Sequence, residues 1–200
     1  GGSLYSGGEF MGTGDGTIPL NYLARWDGGA WSAVGPDNGV SGPVFALAVS
    51  GNRLCVGGLF THTGTGGPGT AILNNLAWWV PGSGTWEPLV AGGNTGVTGT
   101  VTALAVSGSS ISAGGAVAKI VGDVLAKNIA RWNGSAWCLL GSGEGNGVNG
   151  DVLALAISGD ALYAGGDFTA TGDGGVPLGH LARFDGTAWT DLGGNADGAV

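Results

Sequence analysis

Residues 21–31 read NYLARWDGGAW, and the pattern returns as NLAWWVPGSGTW at 75–86, NIARWNGSAW at 128–137 and HLARFDGTAW at 180–189. Each copy runs a short apolar-alternating segment to an aromatic residue, then a turn of Gly, Asp, Asn or Pro, then a closing Trp. Period-two alternation around a tight turn marks a β-hairpin. A chain that writes it four times is a repeat protein.

Two further landmarks keep the same beat. Gly-Gly doublets fall at Gly7-Gly8, Gly57-Gly58, Gly114-Gly115 and Gly165-Gly166, in steps of 50, 57 and 51. The closing residues Trp31, Trp86, Trp137 and Trp189 step by 55, 51 and 52. The run ALAVSG begins at Ala46 and Ala103 and returns as ALAISG at Ala154. In the second unit these landmarks outline four strands: VFALAVSG (44–51), RLCVGG (53–58), NNLAWW (74–79) and TWEPLV (85–90). Four-stranded meanders of about 50 residues predict β-propeller blades.

Composition agrees with a turn-dense all-β protein. Glycine supplies 46 of 200 residues, yet there is no Gly-X-Y period, Pro numbers 7, and 43% of the chain is apolar. Collagen and disorder are excluded on those grounds. The net charge is -8, with 6 basic residues, which opposes nucleic acid and anionic membranes as partners, because both need clustered Lys and Arg. No apolar run reaches the ~18 residues of a membrane helix. The opening GGSLYSGGEF has neither a basic nor an apolar signal region, so an export signal is expected outside this chain. A surface whose polarity comes from Ser, Thr, Asn and Gly is extracellular in style. Cys55 and Cys138 are too few for a disulfide framework; placed on a second and an outermost strand, they are expected as free, mostly buried thiols.

A strand ending in Gly-Gly, a variable loop, an aromatic before a turn and a Trp shortly after it resemble a kelch-type blade. Here those positions are Gly57-Gly58, Trp79 and Trp86 in one unit, and Gly165-Gly166, Phe184 and Trp189 in another. The fuller pattern GGxF…LARWDG.AW..LG resembles tandem repeats of secreted and surface propeller proteins. The resemblance covers nearly the whole chain and implies a single propeller domain, 1–200, with blades at about 1–36, 44–91, 101–141 and 152–193. Trp31, Trp86, Trp137 and Trp189 are then wedges between blades. Gly7, Gly8, Gly57, Gly58, Gly114, Gly115, Gly165 and Gly166 are the blade glycines.

Alignment of the units sets Gly1 opposite Gly51, Ser107-Gly108 and Ser158-Gly159. The first blade therefore lacks its innermost strand, while residues 194–200 lead into the next inner strand. A longer parent chain, a unit continued into the next copy, and a strand donated by a partner all account for this.

The turns after strands one and three are tight. The loops from Gly-Gly to the LA or IA strand hold 13 to 17 residues, so one face is elaborated, and binding resides on such loops. That face carries most of the acids. TGDGTIPL (13–20) and TGDGGVPL (171–178) are nearly one loop written twice. Asp15, Asp173 and Asp123 are the candidate calcium ligands, since Ca²⁺ takes six to eight oxygens, although neither loop matches an EF-hand pattern; the competing reading is ordinary Asx turns.

Enzymatic signatures are sparse. His62 and His180 do not form a zinc or copper spacing. The Tyr–Cys–His set of the kelch copper oxidases has no assignable match, and FDGTAW (184–189) only echoes a sialidase Asp-box. Arg25, Arg131 and Arg183 recur at one blade position as structural partners, with Trp78 in the fourth. Asn133-Gly134-Ser135 is a formal glycosylation sequon. The expectation is a non-enzymatic extracellular structural module without a cofactor. It associates with copies of itself through the open first blade and the long-loop face. The alternative is a glycan- or protein-binding propeller that uses calcium.

Overall fold

A computed structural model describes residues 2–91, 93–120, 126–141 and 146–192, and all regular structure among them is β. Four antiparallel sheets follow one another along the chain. The first holds β1 (Leu4–Gly7), β2 (Leu23–Trp26) and β3 (Trp31–Ala33). The second holds β4 (Val44–Ser50), β5 (Arg53–Gly58), β6 (Leu76–Val80) and β7 (Thr85–Pro88). A small hairpin of β8 (Val90–Ala91) and β9 (Asn94–Thr95) follows it. The third sheet comprises β10 (Val97–Ser107), β11 (Ser110–Ile120), β12 (Ile129–Trp132) and β13 (Trp137–Cys138). The fourth comprises β14 (Val152–Ser158), β15 (Ala161–Gly166), β16 (Leu181–Phe184) and β17 (Trp189–Asp191). Every sheet keeps chain order, so each is a meander.

The alternation in the repeats becomes two buried faces per inner sheet, each serving a different neighbour. One cluster joins Leu23 and Val34 of the first unit to Leu54, Val56 and Trp79 of the second. The next joins Leu76, Trp78 and Leu89 to Ile111, Ala113 and Trp132. The last joins Ile129 and Leu140 to Leu162, Ala164 and Phe184. The sheets therefore pack in sequence order. Among the described residues no such cluster joins the fourth sheet to the first.

Each doublet glycine has its own task. A Cβ on Gly57 would lie 2.6 Å from Val101 Cγ1, and one on Gly114 would lie 2.6 Å from Val152 Cγ1; Gly7 meets Val44 in the same way. The first glycine thus lets the next sheet's opening strand close in. The second faces its own sheet: Gly58, Gly115 and Gly166 press on the backbone of Pro43, Thr100 and Asp151. There Phe45, Thr102 and Leu153 are the extra residues of a repeated β-bulge, since Val44 pairs with Gly58 but Ala46 with Gly57. A bulge of this kind bends its strand and raises local twist. In the first sheet no strand stands on that side among the described residues, and a Cβ on Gly8 would meet only the Phe10 ring.

Two features depart from the expected unit. The hairpin of β8 and β9 is additional, and β10 and β11 run to 11 residues each, so the third sheet starts at Val97 rather than near 101. Residues 194–200 lie outside the described residues.

Candidate functional site

The feature repeated most faithfully is the joint between neighbouring sheets. Its centre is an aromatic pair across the hairpin that closes each unit. Trp26 and Trp31, Trp79 and Trp86, Trp132 and Trp137, and Phe184 and Trp189 have ring centroids 5.2 to 5.5 Å apart and tilted planes. Such pairs add about 0.5–1.5 kcal/mol each beyond area burial. The hairpin register sets them: Trp26 opposes Trp31, Trp79 opposes Trp86, Trp132 opposes Trp137 and Phe184 opposes Trp189.

The four closing tryptophans differ in surroundings. Trp137 and Trp189 lie inside the second and third joints. Trp86 is half-buried against the first. Trp31 is half-buried on the outer face of the first sheet, where it lines an open groove of about 390 Å³ with Ser6, Phe10, Leu20 and Ala24. Trp189 Nε1 donates to the Leu140 carbonyl oxygen at 2.8 Å. Among the described residues the buried indole nitrogens of Trp86 and Trp137 have no acceptor.

A residue in left-handed conformation precedes every third-strand segment: Tyr22 (φ 66°), Asn75 (67°), Asn128 (62°) and His180 (64°). Asparagine tolerates this region better than other side chains. Here it also bonds outward: Asn75 Nδ2 donates to the Val97 carbonyl and Asn128 Nδ2 to the Val148 carbonyl, both at 2.9 Å, while Asn75 Oδ1 accepts from Phe60 N–H. These staples tie the third strand to the segment entering the next sheet. Sequence reasoning passed over them, although the Asn at 75 and 128 was the available signal.

The long loops use their own carboxylates. Asp15 Oδ1 accepts from the Thr13 hydroxyl at 2.5 Å, the Thr17 hydroxyl at 2.8 Å and Thr17 N–H at 3.1 Å. The Thr13 hydroxyl leads the groups holding its pKa down to about 2. Asp173 Oδ1 accepts from Gly175 N–H at 2.9 Å and the Thr171 hydroxyl at 2.7 Å, which likewise lower its pKa. In the second unit the Thr63 hydroxyl instead donates to Asp37 Oδ2 in the preceding segment, between β3 and β4. The Asp15 and Asp173 loops are pinned Asx turns, in which Oδ1 of each metal candidate is bonded within its own loop. Asp123, the third, lies outside the described residues. Among the described residues no three His, Cys, Asp or Glu side chains gather as a metal-binding group.

The tight turns repeat the same device. Asp27 accepts from Gly29 and Ala30 N–H, Asn133 from Ser135 and Ala136, and Asp185 from Thr187 and Ala188. The Ala188 N–H is foremost in holding Asp185 near a pKa of about 2. Asn133 stands exposed with its sequon hydroxyl, Ser135 Oγ, 3.0 Å from Oδ1.

The remaining candidates are dispersed. Cys55 is fully buried in the second joint, and desolvation drives its thiol pKa far upward; Cys138 is half-buried, and both are free. Arg25 Nε donates to Ser3 Oγ at 2.8 Å. Where Trp78 replaces the recurrent arginine, Arg53 lies over its ring at 5.8 Å and pairs with Glu87. His62 bonds to Thr61 and His180 to the Gly166 carbonyl.

No family model matches the chain. A stretch of 57 residues, 28% of the chain, is 44% identical to the polarized growth protein rax2 of the fission yeast Schizosaccharomyces pombe. That stretch spans 5% of the length of rax2.

Proposed function

We propose that this chain is a non-enzymatic structural module of the cell surface: kelch-like propeller blades that associate with further copies of themselves. The observation that carries this reading is the joint itself. Three successive interfaces are built from the same positions, and the apolar and aromatic side chains of the repeat are spent on them. A unit with two apolar faces cannot bury both alone, so repetition is its means of folding. The partial likeness to a polarized growth protein is compatible with this reading.

Fold alone does not fix activity, so the test is functional. Light scattering of the native chain across a wide concentration range should give a mass that rises with concentration. A constant monomeric mass would overturn self-association. Calcium-dependent retention on immobilised glycans would instead favour a binding module that uses the Asp15 and Asp173 loops.

A further inference from the structure

We propose that the two end faces of the stack are the two halves of the joint found inside it, and that a second copy of this chain docks there, fourth sheet on first sheet. This rests on the self-association read above and assigns its surfaces.

The first half is a ridge. In the inner joints it is made by Leu23 and Val34, by Leu76 and Leu89, and by Ile129 and Leu140, all at most 2% exposed. Register identifies the same positions in the fourth sheet: Leu181 opposes Gly165 as Leu23 opposes Gly7, Leu76 opposes Gly57 and Ile129 opposes Gly114. Leu192 N–H bonds to the Leu181 carbonyl, holding the pair together. Leu181 is 42% exposed and Leu192 41%.

The second half is a groove. Leu54, Ile111 and Leu162, each opposite the first aromatic of its pair, are at most 2% exposed beneath the preceding sheet's ridge. Leu4 opposes Trp26 in that way but is 61% exposed. Beside it lies the open groove of Phe10, Leu20, Ala24 and Trp31. The fourth sheet thus exposes what every inner sheet inserts, and the first exposes what every inner sheet receives.

The occupant follows from continuity with the three inner joints. A second copy presents the matching half in the same residue types and register, so the contact is head-to-tail. Such heterologous contacts make rings when the rotation closes and filaments when it does not.

Sedimentation of the chain, of Leu4→Asp, of Leu181→Asp/Leu192→Asp, and of an equimolar mixture of the two variants tests this. Circular dichroism and melting should show both variants folded; if either fails, Ser replaces Asp at the same exposed sites. The unaltered chain should associate with rising concentration, into a closed ring or into species larger than a dimer. Each variant alone should be monomeric, with association weakened at least about tenfold, as expected for a buried interface anchor. The mixture should stop at a dimer, because it retains one ridge and one groove that match. Association of the unaltered chain that survives in either variant would overturn the assigned surfaces and leave self-association standing. A unaltered chain that stays monomeric at its solubility limit would overturn both.

Discussion

The indole N–H of Trp189 donates to the carbonyl oxygen of Leu140, 49 residues earlier, across the joint between the third and fourth sheets. It is a buried hydrogen bond between neighbouring repeats, and it bears on how much each closing tryptophan contributes. Trp189→Phe keeps an aromatic ring but loses that bond, while the Leu140 carbonyl oxygen still accepts from Gly147 N–H at 2.8 Å; loss of the bond should cost about 0.5–1.5 kcal/mol. Trp137→Phe should cost less, because the Trp137 indole N–H finds no acceptor among the described residues. Equal losses in urea denaturation would show that the bond adds nothing to the joint.

The doublet glycines separate close approach from turn chemistry. In Gly57→Ala the new methyl group would meet Val101 and Leu104 of the next sheet, and overpacking of this kind costs about 1–3 kcal/mol. Gly2→Ala meets nothing within 4 Å and should be neutral. The midpoint of chemical denaturation distinguishes them.

The left-handed staple reaches onward through asparagine, whereas His180 bonds to the Gly166 carbonyl oxygen of its own sheet. His180→Asn places at φ 64° a residue better suited to that region but gives up the His180 bond to the Gly166 carbonyl oxygen, and should be near neutral, within about 0.5 kcal/mol. Asn128→Ala removes the bond to the Val148 carbonyl and should destabilise it by about 1–2 kcal/mol. Thermal melts of both variants check the difference.

Acid should loosen the turns. Asp15, Asp27, Asp173 and Asp185 all have folded-state pKa values below the ordinary 3.8, two of them at about 2, because hydroxyls and backbone N–H groups bond the ionised form. A depressed folded value means that the stabilisation is present above the unfolded pKa and is lost as pH falls from about 4 towards 2. Melting temperature should decline over that window. Asp185→Asn should lessen the decline and keep the turn, since Asn133 accepts the same pair of backbone N–H bonds. An unchanged acid profile in that variant would remove Asp185 from the titrating set.

Repetition made much of the fold legible. Gly-Gly, ALAVSG and the closing Trp each mark a strand end, so the four meanders and the three-stranded first sheet follow from spacing alone. What stayed hidden is geometry that arises only when sheets meet. The bulge at Phe45, Thr102 and Leu153 depends on partner strands, and the division of labour between Gly57 and Gly58 depends on which backbone approaches each. The acidic loops were legible both as Asx turns and as cation ligands, and only the structure shows one oxygen of Asp15 and of Asp173 turned back on its own Thr hydroxyl. The hairpin of β8 and β9 is two residues per strand and leaves no period to read.

Negative-stain electron microscopy of the untagged native chain at high concentration tests the repeat joint most directly. The expected result is regular polymers, rings or filaments, in which the spacing between subunits is that of one chain. Fields of single, separate particles that never contact end to end would contradict it.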